Sequence, residues 1–335
     1  MRVAIIGCGA RVTTHAECFM KIPDVEVVRV YDLQEKRATE LAERCKTKVF
    51  TSFERLITEA NPDAVSLCLP VSMHKEFIKE ASRYGKHVIC ESPIALSLAD
   101  AREVIDVCDS NGTKLLIGHP VRFLPSYASL RQEIKSEAIG DIGVVHMKRI
   151  GLYQEEALGK IDDSAYPRSI FDFIIHDIDF IRSVLGEVKS VYALNRRAGY
   201  HDVTVMTLRF NNGAIANLQG HVGHPEAPSF EVEFAGRSGL IRFNSKHISP
   251  IRIHKPTGVE GLDWNHNDSL QDSYLPKLKH FVDCLANGKE PIITAEDSYK
   301  ALEIALAAVH SIRAGVPIPI DSIMSQKGGN SNGSY

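Results

Sequence analysis

The chain has 335 residues, 44% of them apolar, and its 39 Lys and Arg against 42 Asp and Glu leave a formal net charge of −3. That length suits two domains with ordinary cores, and that charge supplies no basic field to attract nucleic acid or an anionic lipid surface. No apolar run approaches the roughly 20 residues of a membrane span, the opening MRVAIIG has no signal-peptide pattern, and seven scattered cysteines without a Cys-x-x-Cys pair suit reduced thiols in a cytoplasmic protein.

In chain order, the apolar runs VAII, VEVVRVY, AVSLCL, HVIC and KLLIG alternate with helical stretches such as EKRATELAERC and HKEFIKEASRYG. Parallel strands need crossover helices and are buried on both faces, so this alternation predicts βαβ units in one α/β domain over residues 1–121. From 122 to 324 the pattern changes. A helix around SYASLRQEIKSEAIG precedes the longer strands VVHMKRIGLY, SVYALNRR, VTVMTLRF, AIANLQGHV, FEVEFAG and LIRFNS, with turn signals at Asn212-Gly213 and Arg237-Ser238-Gly239. Strands in succession predict an α+β domain with a large, mostly antiparallel open sheet. One helix, SIFDFIIHDIDFIRSVLG, interrupts them, and LPKLKHFVDCLANG and SYKALEIALAAVHSIRAG follow, each ending on glycine. Residues 325–335, rich in Gly, Ser and Asn, read as a disordered tail.

The first strand runs into Gly7-Cys8-Gly9-Ala10-Arg11 and then a helix from about Val12. Gly7 permits a tight turn, and Gly9 lets backbone N–H groups at the helix start approach a pyrophosphate, as in a Rossmann dinucleotide site. Val12 stands where the third glycine of that fingerprint is usual. Asp32, after the second strand, is spaced to accept hydrogen bonds from the adenosine ribose, which favours NAD; Lys36 and Arg37 leave NADP open. The competing reading of Asp32 is a cap on the following helix.

On the later helix, Asp172, His176 and Asp179 are spaced i, i+4 and i+7, so a regular helix places them on one face, with Ile174, Ile175, Ile178 and Ile181 elsewhere and Asp177 pointing away. An imidazole among carboxylates suits proton transfer near neutral pH. The same residues also suit a structural histidine oriented by Asp179 and a helix cap at Asp172. No third ligand at a recognisable spacing supports a metal site.

Taken together, GCG with His15, PDAVSLCLPVSMH, ESP, GHPVRFLPSY, the Asp172/His176/Asp179 helix, VTVMTLRFNNGAIANLQG, EFAGRSGLIRF and LKHFVDCLANGKEPIITAEDSYKALEIALAAVHSIRAGVPI resemble the glucose-fructose oxidoreductase, inositol dehydrogenase and rhizopine-catabolism (Gfo/Idh/MocA) family, in family order. The resemblance implies an N-terminal Rossmann domain and a C-terminal domain whose open sheet joins subunits, hence a homodimer or homotetramer. It implies hydride transfer between NAD, or NADP, and one secondary alcohol of a sugar, polyol, inositol or nucleotide sugar. Gly7, Gly9, Ala10, Arg11, Asp32 and Arg37 fall on the adenosine and pyrophosphate side. Leu69, Pro70, Ser72, His74, Glu91 and Pro93 fall beside the nicotinamide, and His119, Arg122, Tyr153, Asp172 and His176 on the substrate side.

Ser92 stands where the family has the lysine of Glu-Lys-Pro. A hydroxyl cannot replace an ammonium's charge, so the expected proton-transfer burden moves to His176 and Asp172, with Ser92 as a hydrogen-bond relay. Two alternatives are an impaired NAD-binding regulatory homologue and an NAD-dependent glycosidase or lyase using Tyr153, Tyr166 or Tyr200. Substrate choice is expected from the sheet and from the irregular loop Gln154 to Pro167.

Overall fold

The computed structural model describes residues 1–9, 12–152, 166–246, 251–255, 258–261 and 270–325. Ala10, Arg11, Tyr153, most of the loop expected to choose the substrate, and residues 326–335 of the expected tail lie outside this set. The chain groups into two units: one of Met1–Ala128 and Asp268–Leu302, the other of Ser129–Tyr153, Asp163–Asn267 and Glu303–Tyr335, with Gln154–Asp162 outside the described residues.

In the first unit, β1 (Arg2–Ile6), β2 (Glu26–Tyr31), β3 (Lys48–Val49), β4 (Ala64–Leu67), β5 (His87–Glu91) and β6 (Leu115–Gly118) form a parallel sheet in the order β3-β2-β1-β4-β5-β6. Every residue of β4 and β6 is buried, which is why these strands read as unbroken apolar runs. The crossovers carry α1 (Val12–Met20), α2 (Glu35–Arg44), the short turn α3 (Phe53–Arg55), α4 (Val71–Arg83) and α5 (Leu98–Ser110). Ser97 caps α5 by accepting the Asp100 N–H at 3.1 Å. Strand order reverses between β1 and β4, so the carboxyl ends of the strands there frame the crevice that dinucleotides occupy in this topology.

After α6 (Pro125–Lys135) the second unit is built on β7 (Ile142–Gly151), β8 (Val188–Ala198), β9 (His201–Phe210), β10 (Ile215–Val222), β11 (Ser229–Gly236), β12 (Gly239–Asn244), β13 (Ile251–Lys255), β14 (Gly258–Gly261) and β15 (Ile318–Pro319). They order as β14-β13-β12-β11-β7-β10-β9-β8-β15, antiparallel except where β7 and β10 run parallel. One face is the buried alternate set, among them Val145, Met147, Leu208, Leu218 and Phe234. The other face exposes Leu194 and Val205. The helix between β7 and β8 is a π-helical stretch over Ser169–Ile174 continued by α7 (Ile175–Leu185), which Gly186 ends at φ +87°. The sequence pattern assumed regular α-helix throughout. Gly220 lets this segment lie close on the sheet, since a Cβ there would stand 2.7 Å from the Ser169 carbonyl oxygen.

Two further helices follow, α8 (Tyr274–Asn287) and α9 (Ala295–Ala314), then α10 (Ile320–Ser325). The change in the pattern of elements had assigned everything from 122 to 324 to the second domain, but α8 groups with the first unit. Its residues Tyr274, Leu278 and Phe281 share one buried core with Ile5 of β1, Phe19 of α1, Leu116 of β6 and Phe123. An apolar helix stripe shows that the helix packs; it does not show against what. Among the described residues no helix is long and apolar enough to cross a membrane.

Candidate functional site

The glycine turn is shaped as its sequence requires. Gly7 sits at φ +88° and donates its N–H to the Tyr31 carbonyl at 2.8 Å, and a Cβ there would lie 2.7 Å from the Cys68 carbonyl oxygen. Around Gly9, by contrast, a Cβ would meet only that oxygen among the described residues, at 3.9 Å. The space over the turn opens into a cavity of about 280 Å³ reached by Gly9, Thr13, Arg37 and Arg44. Asp32 closes the turn from the end of β2: Oδ2 accepts the Cys8 N–H and Oδ1 the Gln34 N–H, both at 2.6 Å. It does not cap α2, whose N-cap is Gln34. Each carboxylate oxygen keeps a second lone pair for a ribose hydroxyl. Burial, then Asp32, pushes the Cys8 thiol up to about 12, so no thiolate competes with a bound anion. Open space at a helix start and a carboxylate after β2 fit the pyrophosphate and adenosine ribose of a dinucleotide.

Across the switch point, His74 is 1% exposed and joins two loops. Its Nδ1 lies 3.1 Å from the Pro93 carbonyl oxygen and its Nε2 3.0 Å from that of Leu69. Burial pushes this imidazole below its usual pKa, so it is neutral and has one proton for the two carbonyls. Pro70 and Ser72 are exposed and Leu69 is half-buried, while Glu91 and Ser92 are buried and the Ser92–Pro93 peptide is cis. Two residues expected on the substrate side bind protein groups of their own unit. His119, 0% exposed, places Nε2 3.1 Å from Ser298 Oγ, and Arg122 donates to the Ile292 carbonyl at 2.8 Å.

In the second unit, His176 and Asp179 are buried. Asp172 lies in the π-helical stretch, 3.6 Å from the Arg168 guanidinium. Asp177, expected to point away from this group, is held by Arg149 of β7. Tyr166 meets the Phe171 ring edge-on at 5.3 Å, and Tyr200 is exposed on the turn between β8 and β9.

Residues 1–119 match the model of an oxidoreductase family's NAD-binding Rossmann fold, and residues 131–320 match that family's C-terminal alpha/beta domain. The chain belongs to the Gfo/Idh/MocA oxidoreductase family. It is 28% identical to the myo-inositol 2-dehydrogenase of Thermotoga maritima, over 97% of this chain and all of that one. It is 26% identical to the scyllo-inositol 2-dehydrogenase (NAD(+)) of Bacillus subtilis, over 96% of each chain. In fold it matches an oxidoreductase from Agrobacterium radiobacter solved with NAD+, L-tartaric acid and magnesium, at a TM-score of 0.85 and 21% identity, covering 96% of this chain and 99% of the other.

As a family member the chain has an NAD-binding Rossmann domain, and Ser92 stands in the Glu91–Ser92–Pro93 turn that follows β5. Sequence reasoning missed a cation buried against that turn. Lys277 Nζ lies 2.5 Å from Glu91 Oε1, with its side chain 0% exposed. The signal was present. Tyr274, Lys277, Leu278, Phe281 and Cys284 are the buried stripe of α8, and a lysine inside such a stripe needs a buried partner.

Proposed function

We propose that the protein is an NAD-dependent dehydrogenase that transfers a hydride between the nicotinamide and one secondary alcohol of a polyol or sugar, with inositols as the first class to test. The observation that carries this is the end-to-end likeness to the Thermotoga maritima myo-inositol 2-dehydrogenase, at 28% identity. The open cavity over Gly9 and the carboxylate of Asp32 support NAD as the nucleotide. Bound NAD supplies the hydride acceptor.

The chain's own residues divide the remaining work. Gly7, Gly9 and Asp32 hold the adenosine and pyrophosphate side, and the loops joined by His74 shape the other half. His176 is the group that takes the hydroxyl proton, since an imidazole exchanges protons near neutral pH. Asp172, paired with Arg168 at 3.6 Å, orients it. Ser92, which lacks charge and basicity, relays a hydrogen bond.

The test is NADH formation by the purified protein given NAD and a panel of inositols, other polyols and aldoses. His176→Ala should abolish turnover and leave NAD affinity within about threefold; full activity in that variant would sink the proton-transfer assignment. Glycoside cleavage without NADH accumulation would replace the dehydrogenase by a glycosidase. Tight NAD binding with no hydride transfer across the panel would replace it by a binding module.

A further inference from the structure

Beneath the Glu91–Ser92–Pro93 turn, three ionisable side chains from three separate elements converge. Lys277 of α8 places Nζ 2.5 Å from Glu91 Oε1, with side-chain exposures of 0% and 8%. His15 of α1, also 0% exposed, places Nε2 2.9 Å from the same oxygen and Nδ1 3.0 Å from Ser66 Oγ. The Tyr274 ring centroid lies 4.2 Å from the ammonium. On β6, a Cβ at Gly118 would stand 2.8 Å from both Glu91 Oε1 and Lys277 Nζ, so the space beside that strand is taken by the ion pair itself.

Stability alone does not explain such a cluster. Desolvating two ions costs about as much as their attraction gains, and apolar side chains of the same volume often serve a fold as well or better. Its position is more informative. Ser66, Glu91 and Gly118 lie at or next to the carboxyl ends of β4, β5 and β6. In this strand order the glycine turn and Asp32 serve the adenosine half, which leaves those three ends for the nicotinamide half. A fixed cation there discriminates between redox states, because the oxidised nicotinamide ring carries a positive charge and the reduced ring carries none. In a low-dielectric interior that difference is felt beyond direct contact.

We propose that Lys277 is a positioning residue of the nicotinamide subsite: paired with Glu91 under the turn, it supplies a fixed positive charge that biases the bound nucleotide toward its reduced form, an assignment that rests on the NAD-dependent function given above. His15 acts in the same sense. Burial and the Lys277 ammonium oppose its charge, but Cys68 and Glu91 outweigh them and raise its pKa to about 9, so near neutral pH two cations among the described residues face the Glu91 carboxylate.

Calorimetric titration of the full-length protein with NAD+ and with NADH, near neutral pH, gives the ratio Kd(NAD+)/Kd(NADH). Lys277→Met keeps the side chain's length without its charge. Lys277→Gln keeps an N–H for Glu91 and guards against misfolding of the first variant. In each variant with an unaltered circular dichroism spectrum the ratio should fall by about threefold or more; an unchanged or increased ratio overturns the proposal. A second measurement needs no variant: the unaltered protein should bind NADH more tightly than NAD+, and the reverse order also overturns it. Failure of the unaltered protein to bind either nucleotide would instead remove the NAD-dependent function, and this role with it.

Discussion

Arg149 and Asp177 meet inside the second unit as a bidentate ion pair, Nε donating to Oδ2 at 3.0 Å and Nη2 to Oδ1 at 2.5 Å, with both side chains 3% exposed. The pair fixes α7 to β7 at the residue next to His176. Removing one partner takes two charge-assisted hydrogen bonds from the other in a dry interior. Asp177→Ala should therefore lower stability by about 3–5 kcal/mol, read as an earlier urea midpoint. A midpoint equal to that of the unaltered protein would show that the other contacts of Arg149, among them the Phe230 ring 5.0 Å from the guanidinium carbon, hold it sufficiently.

Two buried histidines should set opposite limits on the pH range of stability. His15 is raised to about 9 in the fold, so its contribution is complete below about 6.5 and is lost as pH rises through 9, a loss on the order of 3 kcal/mol. His74 is lowered by burial, so its contribution holds above about 6.5 and is lost as pH falls below that value. Urea midpoints across pH should peak near 6.5. His15→Gln should flatten the alkaline limb and His74→Gln the acid limb; a limb that keeps its slope in the matching variant would discard that assignment.

Gly118→Ala tests how tightly β6 is fitted to the ion pair. The new methyl would stand 2.8 Å from both Glu91 Oε1 and Lys277 Nζ. Overpacking of this kind costs about 1–3 kcal/mol, so the thermal midpoint should fall by several degrees. In the Lys277→Met/Gly118→Ala double variant the two losses should not add, since they act on one shared space.

Gly7→Ala and Gly9→Ala should separate folding from nucleotide binding. At Gly7 the φ of +88° and a 2.7 Å approach to the Cys68 carbonyl oxygen both penalise a side chain, and a loss of about 2 kcal/mol or more is expected. At Gly9 nothing among the described residues is nearer than 3.9 Å, so Gly9→Ala should melt like the unaltered protein. Its methyl would project where a pyrophosphate must approach, so NAD affinity should drop about tenfold or more. Unchanged NAD affinity in a folded Gly9→Ala protein would place the pyrophosphate elsewhere.

Much of the fold was legible because its signals are local. Strand runs such as HVIC and KLLIG, the glycines at 186, 288 and 315 that end helices, and the carboxylate after β2 each act within a few residues. What escaped was set by distant partners. Glu91 and Lys277 are separated by 186 residues and His15 and Glu91 by 76, and no periodicity carries that information. The two-residue β3 is too short to show a pattern. The π-helical turn at Ser169–Ile174 coincides with Ser169 Oγ donating to Asp202 and with the close approach to Gly220, both long-range constraints that helix spacing rules omit.

The inclusion of Asp268–Leu302 in the first unit has a consequence for how the protein is made. Chains emerge from the ribosome N-terminus first and domains tend to fold as they emerge. Here the dinucleotide domain leaves early without Tyr274, Leu278, Phe281 and Ile293, which complete its core, and without Lys277 to neutralise Glu91. Until translation passes residue 302 the nascent domain lacks that part of its core and the partner of Glu91, so its core is completed only after the strands β7 to β14 of the second unit's sheet have been synthesised.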